Sequence, residues 1–144
     1  PRTVVYGGLL TALASAAVVM LIARVPFEAT VNRAPGSSFN VDADGWVRNT
    51  YLLKITNNDA EASQATYSVT LDGLAGAELV TDPVLLGSTE TRTIPLVIRM
   101  PAANAAEARS LSFDVRVASP QGELFLPATF MTDARVGGAA GGSR

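Results

Sequence analysis

Two of the side chains that carry most protein chemistry are missing from this sequence: its 144 residues include no histidine and no cysteine. The first omission removes the commonest general base and the commonest metal ligand. The second removes thiolate zinc sites, iron–sulfur ligation, disulfides and thiol nucleophiles together. What remains is sparse. Asp42 and Asp44 beside Gly45 have a faint likeness to a calcium loop, but no acidic ligand follows at the required spacing, so a turn is expected there. Ser37 and Ser38 have no base to activate them. Met20, Met100 and Met131 offer soft sulfur, but they are far apart in apolar rows, the pattern of packing. Glu28 reads as a solvated acid at a membrane surface. The sequence therefore predicts no catalytic residue, no cofactor and no metal. Trp46, the lone tryptophan, is a candidate partner contact or interfacial residue, or else a half-buried ring at one end of the domain.

The elements that must position these residues fall into two parts. Between Arg2 and Arg24 no residue is charged. A helix over that run is about 31 Å long, close to the thickness of a bilayer's hydrocarbon core. Tyr6 sits where an aromatic residue with a polar tip prefers the interface, and Arg24 and Pro26 end the helix. A secretory signal peptide is the competing reading, since Ala14-Ser15-Ala16 resembles a cleavage site. The apolar run continues past it, which favours an anchor. Gly8, Ala12 and Ala16 recur every fourth residue, with Ser15 beside them, so one helix face is small enough for another helix to approach closely. The flanking arginines, one on each side, give no charge asymmetry from which to orient it.

Setting aside Arg2 and Arg24, 9 basic residues face 13 acidic ones, a net of −4. The charges are dispersed, which argues against nucleic acid and against a polybasic lipid-binding surface. From Phe27 onward hydrophobicity alternates, with turn signals every eight to twelve residues or so, the signature of an all-β sandwich. Inward rows are expected at Val47, Tyr51, Leu53 and Ile55; at Tyr67, Val69 and Leu71; at Ile94, Leu96, Ile98 and Met100; at Leu111, Phe113, Val115 and Val117; and at Leu124, Leu126, Ala128 and Phe130. Short strands are expected over 77–80 and 84–86. Asp42 to Gly45, Asn57-Asn58-Asp59, Asp72-Gly73 and Ser119-Pro120-Gln121-Gly122 read as turns. Pro95 lacks an N–H and so belongs at an edge or a bulge. The expectation is an immunoglobulin-like sandwich of roughly seven or eight strands behind one transmembrane helix. The division is 1–25 anchor, 26–134 sandwich and 135–144 a mobile Gly/Ala-rich tail.

The stretch Val47-Arg48-Asn49-Thr50-Tyr51-Leu52-Leu53-Lys54-Ile55-Thr56-Asn57 resembles the I-x-N-x-Y-x-L-K-I-x-N segment of the FixG/CcoG/RdxA family of cytochrome c oxidase accessory proteins. Pro1-Arg2-Thr3 with Tyr6 and the apolar run resembles that family's last membrane helix. The likeness continues through Tyr67-Ser68-Val69 and Leu71-Asp72-Gly73-Leu74. The family's usual Arg-Asp-Arg after the helix is replaced by Asn32-Arg33-Ala34. The resemblance implies a final helix followed by a periplasmic immunoglobulin-like domain, with Pro1 on the cytoplasmic side of a bacterial inner membrane. In that family the redox work belongs to cysteine-ligated clusters, for which this sequence has no ligands.

Two functions follow as expectations. One is a non-catalytic accessory subunit that packs on the transmembrane helices and periplasmic surface of a larger respiratory or photosynthetic complex, with the lipid bilayer as its other partner and no nucleic acid. The alternative is the C-terminal fragment of an oxidase-assembly protein whose iron–sulfur part lies upstream. Because the sequence opens at Pro1 rather than at a methionine, a longer parent chain is expected.

Overall fold

The computed structural model describes residues 1–36, 39–61, 64–105 and 110–132. Its first element is helix α1 (Arg2–Ile22). A helix satisfies its own backbone inside an apolar run, which is what a bilayer demands. The two hydroxyls in its middle are satisfied as well: Thr11 Oγ1 donates to Gly7 O and Ser15 Oγ to Thr11 O, each at 2.8 Å. The helix closes with Ala23 N–H on Val19 O. Pro26 then biases Val25 away from helical angles, and the first strand begins at once.

Nine strands follow among the described residues. They are β1 (Phe27–Arg33), β2 (Asn40–Val41), β3 (Trp46–Asn57), β4 (Gln64–Asp72), β5 (Glu78–Val80), β6 (Val84–Gly87), β7 (Thr91–Pro101), β8 (Ser110–Ser119) and β9 (Gly122–Met131), with a single helical turn α2 (Ala102–Ala105) between β7 and β8. One sheet has the order β1-β3-β7-β5, with β2 also paired to β3. The other has the order β6-β4-β8-β9. Every pairing is antiparallel. The two sheets face one another as a sandwich, the fold class the alternating pattern predicts.

The core is the meeting of the inward rows. Val47, Leu53 and Ile55 of β3, Leu96 and Ile98 of β7, and Val115 and Val117 of β8 are fully enclosed. Phe27 meets Tyr67 edge-on at 5.0 Å between ring centroids, and Tyr51 meets Phe113 at 5.8 Å. Such edge-to-face pairs add to the burial of the rings themselves. The ends of the rows are shallower, with Leu71, Ile94 and Leu111 only partly covered.

Pro95 lies where the pattern requires. It pairs with Leu52 of β3 on one side, while β5 ends at the Val80–Val97 pair. Beyond that point β7 has an open flank, so a residue without an N–H interrupts no ladder there. Strand β2 is an addition to the expected set. Its two residues, paired with Arg48 and Val47, continue the edge that β1 starts. The tail over 135–144 and the Ser37–Ser38 pair lie outside the described residues.

The core assignment is tested by neighbours on one strand. Leu53→Ala opens a hole in the closed core and is expected to cost about 2–5 kcal/mol. Leu52→Ala, on the outer face, is expected to cost under about 1 kcal/mol. Urea unfolding of the detergent-solubilised chain, followed by Trp46 fluorescence, gives both.

Candidate functional site

The residues with chemical potential do not converge. Met20 sits on α1, Met100 in the core on β7, and Met131 at the end of β9. Asp42 and Asp44 are occupied in a tight turn. The Asp42 carboxylate pairs with Arg48 at 3.3 Å, and its carbonyl accepts from Gly45 N–H. Asp44 Oδ1 accepts from Trp46 N–H. Among the described residues no group of three or more acidic side chains is arranged to hold a metal ion. Glu28 is exposed on β1 opposite Thr56. An open cleft of about 400 Å³ on the four-stranded sheet is lined by Asp72 and by Asp114, its register partner on β8, together with Ser112.

Trp46 opens β3, at the end of the sandwich away from α1. Its ring is half-covered and carries the Arg99 guanidinium 5.1 Å from the ring centre, while Arg99 also pairs with Glu78 at 3.2 Å. On α1, Gly8, Ala12, Ser15 and Ala16 are all exposed, and no residue of the helix is buried within the chain.

The polar residues that do converge are those of β3 itself, and they join the two sheets. Asn49 is buried, its amide nitrogen donating to Met131 O at 2.9 Å and its oxygen accepting Met131 N–H at 3.1 Å. A side-chain amide here stands in for one residue of a partner strand. Two residues on, Tyr51 O–H donates to Thr129 O at 2.6 Å, and the same carbonyl accepts from Arg33 Nη2 at 2.9 Å. Burial pushes the Tyr51 phenol up to about 12, although the adjacent Arg33 guanidinium pulls the other way. At the far end of the strand, Asn57 is fully buried and donates to Gly87 O at 3.0 Å. Thus β3, in one sheet, is tied to β9 at its start and to β6 at its end, both in the other sheet.

Asn57 also begins the polar cluster at the pole where α1 joins the sandwich. Its side-chain oxygen accepts from Asp59 N–H at 3.0 Å. Asp59 in turn accepts from Gln121 Nε2 at 2.6 Å and from Ser88 Oγ at 2.9 Å. Glu90 accepts from Gly87 N–H at 2.8 Å and from Arg92 at 2.6 Å. Those two donors hold the Glu90 carboxyl below its ordinary range, with the backbone N–H contributing most. The alternating pattern gives no sign of these roles, because asparagine reads as a turn former.

Residues 17–132 match the family described as "IG-like fold at C-terminal of FixG, putative oxidoreductase". The chain belongs to this FixG C-terminal family. The nitrogen fixation protein FixG of Rhizobium meliloti (strain 1021) is 34% identical over 79 residues, which make up 55% of this chain and 15% of that protein. The chain thus spans a small part of the relative's length. The crystal structure of a FixG-related protein from Vibrio parahaemolyticus superposes with a TM-score of 0.67 at 15% identity, covering 76% of this chain and 99% of that one. At that identity the likeness is one of fold. The β3 segment that resembles FixG is also the segment that ties this sandwich together. Together with the apolar helix α1, the family marks a membrane-anchored protein.

The ties have measurable weight. Asn49→Ala leaves the Met131 N–H and C=O without their partner and is expected to cost about 2–3 kcal/mol. Tyr51→Phe, which leaves Arg33 on Thr129 O, is expected to cost about 1 kcal/mol. The raised Tyr51 pKa also sets a pH dependence. Between its ordinary value of 10.0 and about 12 the unfolded chain loses the phenolic proton while the folded chain keeps it. Stability therefore falls with rising pH across that window. Unfolding midpoints measured from pH 9 upward are expected to fall less steeply in Tyr51→Phe.

Proposed function

We propose that this protein is a non-catalytic docking subunit, anchored by α1, that packs on and stabilises a larger bioenergetic membrane complex. In this reading Pro1 faces the cytoplasm and the sandwich stands in the periplasm of a bacterium, against the complex's outer surface. The observation that carries it is where the polar motif residues go. Asn49, Tyr51 and Asn57 point between the sheets and hold the fold, leaving the outer faces and the uncovered helix for contact. The small side chains of Gly8, Ala12, Ser15 and Ala16 suit close approach by a neighbouring helix.

A second reading is favoured by the match to FixG, which takes in 15% of that protein. Here the sandwich is the C-terminal part of an oxidase-assembly protein whose iron–sulfur redox part precedes it in the same chain. An antibody against the sandwich separates the two readings. A band near the mass of this chain on a denaturing gel supports a separate subunit, and a band several times larger supports the longer protein.

The docking role is tested by native purification in mild detergent. The chain is expected to migrate with larger membrane subunits. Ala12→Leu, which keeps the helix apolar while filling its small face, is expected to reduce the co-migrating fraction severalfold. A chain that migrates alone before any substitution contradicts the proposal.

A further inference from the structure

The link between α1 and β1 is residues 23–26, which span at most about 14 Å even when fully extended. The second half of that link, Val25 and Pro26, is held against the sandwich. Pro26 O accepts from Asn58 N–H at 3.0 Å. Val25 is half-covered against the start of β9, where a Cβ added to Gly122 would meet the Val25 side chain at 3.1 Å and 3.3 Å. Gly122 also holds φ +153, which disfavours any other residue. Phe27, the next residue after Pro26, is already in the core. Gln121 and Ser88 hydrogen-bond to Asp59, so the segments over 58–61, 88–90 and 120–122 that surround the link brace one another.

We infer that this junction is a rigid joint, which fixes the tilt and azimuth of the sandwich on the membrane helix and sets the hairpin turn at Pro120 and Gln121 against the lipid headgroups. A flexible tether would let the sandwich sample the surface freely. A rigid one presents the helix face and one particular side of the sandwich together, whatever the partner is. The inference stands on the junction alone and holds under either reading of function.

These 144 residues contain no cysteine, so in a chain of residues 1–144 two introduced thiols are the only ones to take a label. With nitroxides at Met20→Cys on α1 and Thr93→Cys on the exposed face of β7, double electron–electron resonance in phosphatidylcholine nanodiscs is expected to give one narrow distance distribution. Inserting Gly-Ser-Gly-Ser after Ala23 is expected to widen it at least twofold. Val25→Gly is expected to widen it part of the way, and Gly122→Val to shift its mean. Should Gly122→Val unfold the sandwich, as Trp46 fluorescence would reveal, the Val25→Gly result decides. Equal widths with and without the insertion overturn the rigid joint. A single nitroxide at Pro120→Cys is expected to relax faster beside nickel-chelating headgroups than one at Val41→Cys, at the opposite end. Equal relaxation overturns the placement of the hairpin turn.

Discussion

Two sheets packed face to face share no backbone ladder, so something besides apolar contact must fix how one sits on the other. With no cysteine in the sequence, a disulfide cannot do it. Here the work falls to inward-pointing polar side chains on β3. Asn49 offers Met131 both a donor and an acceptor, as a neighbouring strand would. Asn57 reaches Gly87 at the opposite end, and Tyr51 reaches Thr129 between them. Buried polar groups are tolerated only when paired, and a pairing lost inside a low-dielectric core is costly. The ties therefore specify register as well as stability. A slip of β3 by one residue would turn Leu52 and Lys54 inward and leave the asparagines in water.

That arrangement changes what the family motif means. Polar residues in a segment that resembles a family's motif invite a reading as a reaction site, but Asn49, Tyr51 and Asn57 hold the fold together. The β3 segment that resembles FixG is a structural one, and the family match over residues 17–132 speaks for the fold. The charged residues follow the same economy: Arg48, Arg92 and Arg99 each pair with a nearby acid on or beside the strands. In the proposed docking role, function lies in how the surfaces of α1 and the sandwich are presented, and the junction at Val25 and Pro26 is what would set that presentation.

Much of this was legible in the residues, for reasons that also mark the limit. The uncharged run gave α1, since charge is what a bilayer excludes. Alternation gave the inward rows of β3, β4, β7, β8 and β9, because apolar side chains on every second residue have one place to go. Pro95 declared an open flank through its missing N–H. The ties of β3 were not legible. Asn57, followed by Asn58 and Asp59, has turn composition, and Asn49 interrupts an otherwise apolar inward row. Their partners are backbone groups of Met131, Thr129 and Gly87, which leave no trace in residue type. Strand β2 was missed because two residues are too few for a period. The hub at Asp59 was missed because its partners, Gln121 and Ser88, are distant in sequence.

Native-state hydrogen exchange of the Met131 amide bears most directly on the claim that β3 side chains close the sandwich. That N–H sits near the end of an edge strand, where fraying ordinarily leaves amides unprotected. The account predicts that it is protected as well as the amides of central β3, and that Asn49→Ala lowers its protection at least tenfold while the β3–β7 ladder keeps its own. Exchange at Met131 as fast as at a frayed terminus in the unsubstituted chain would contradict it.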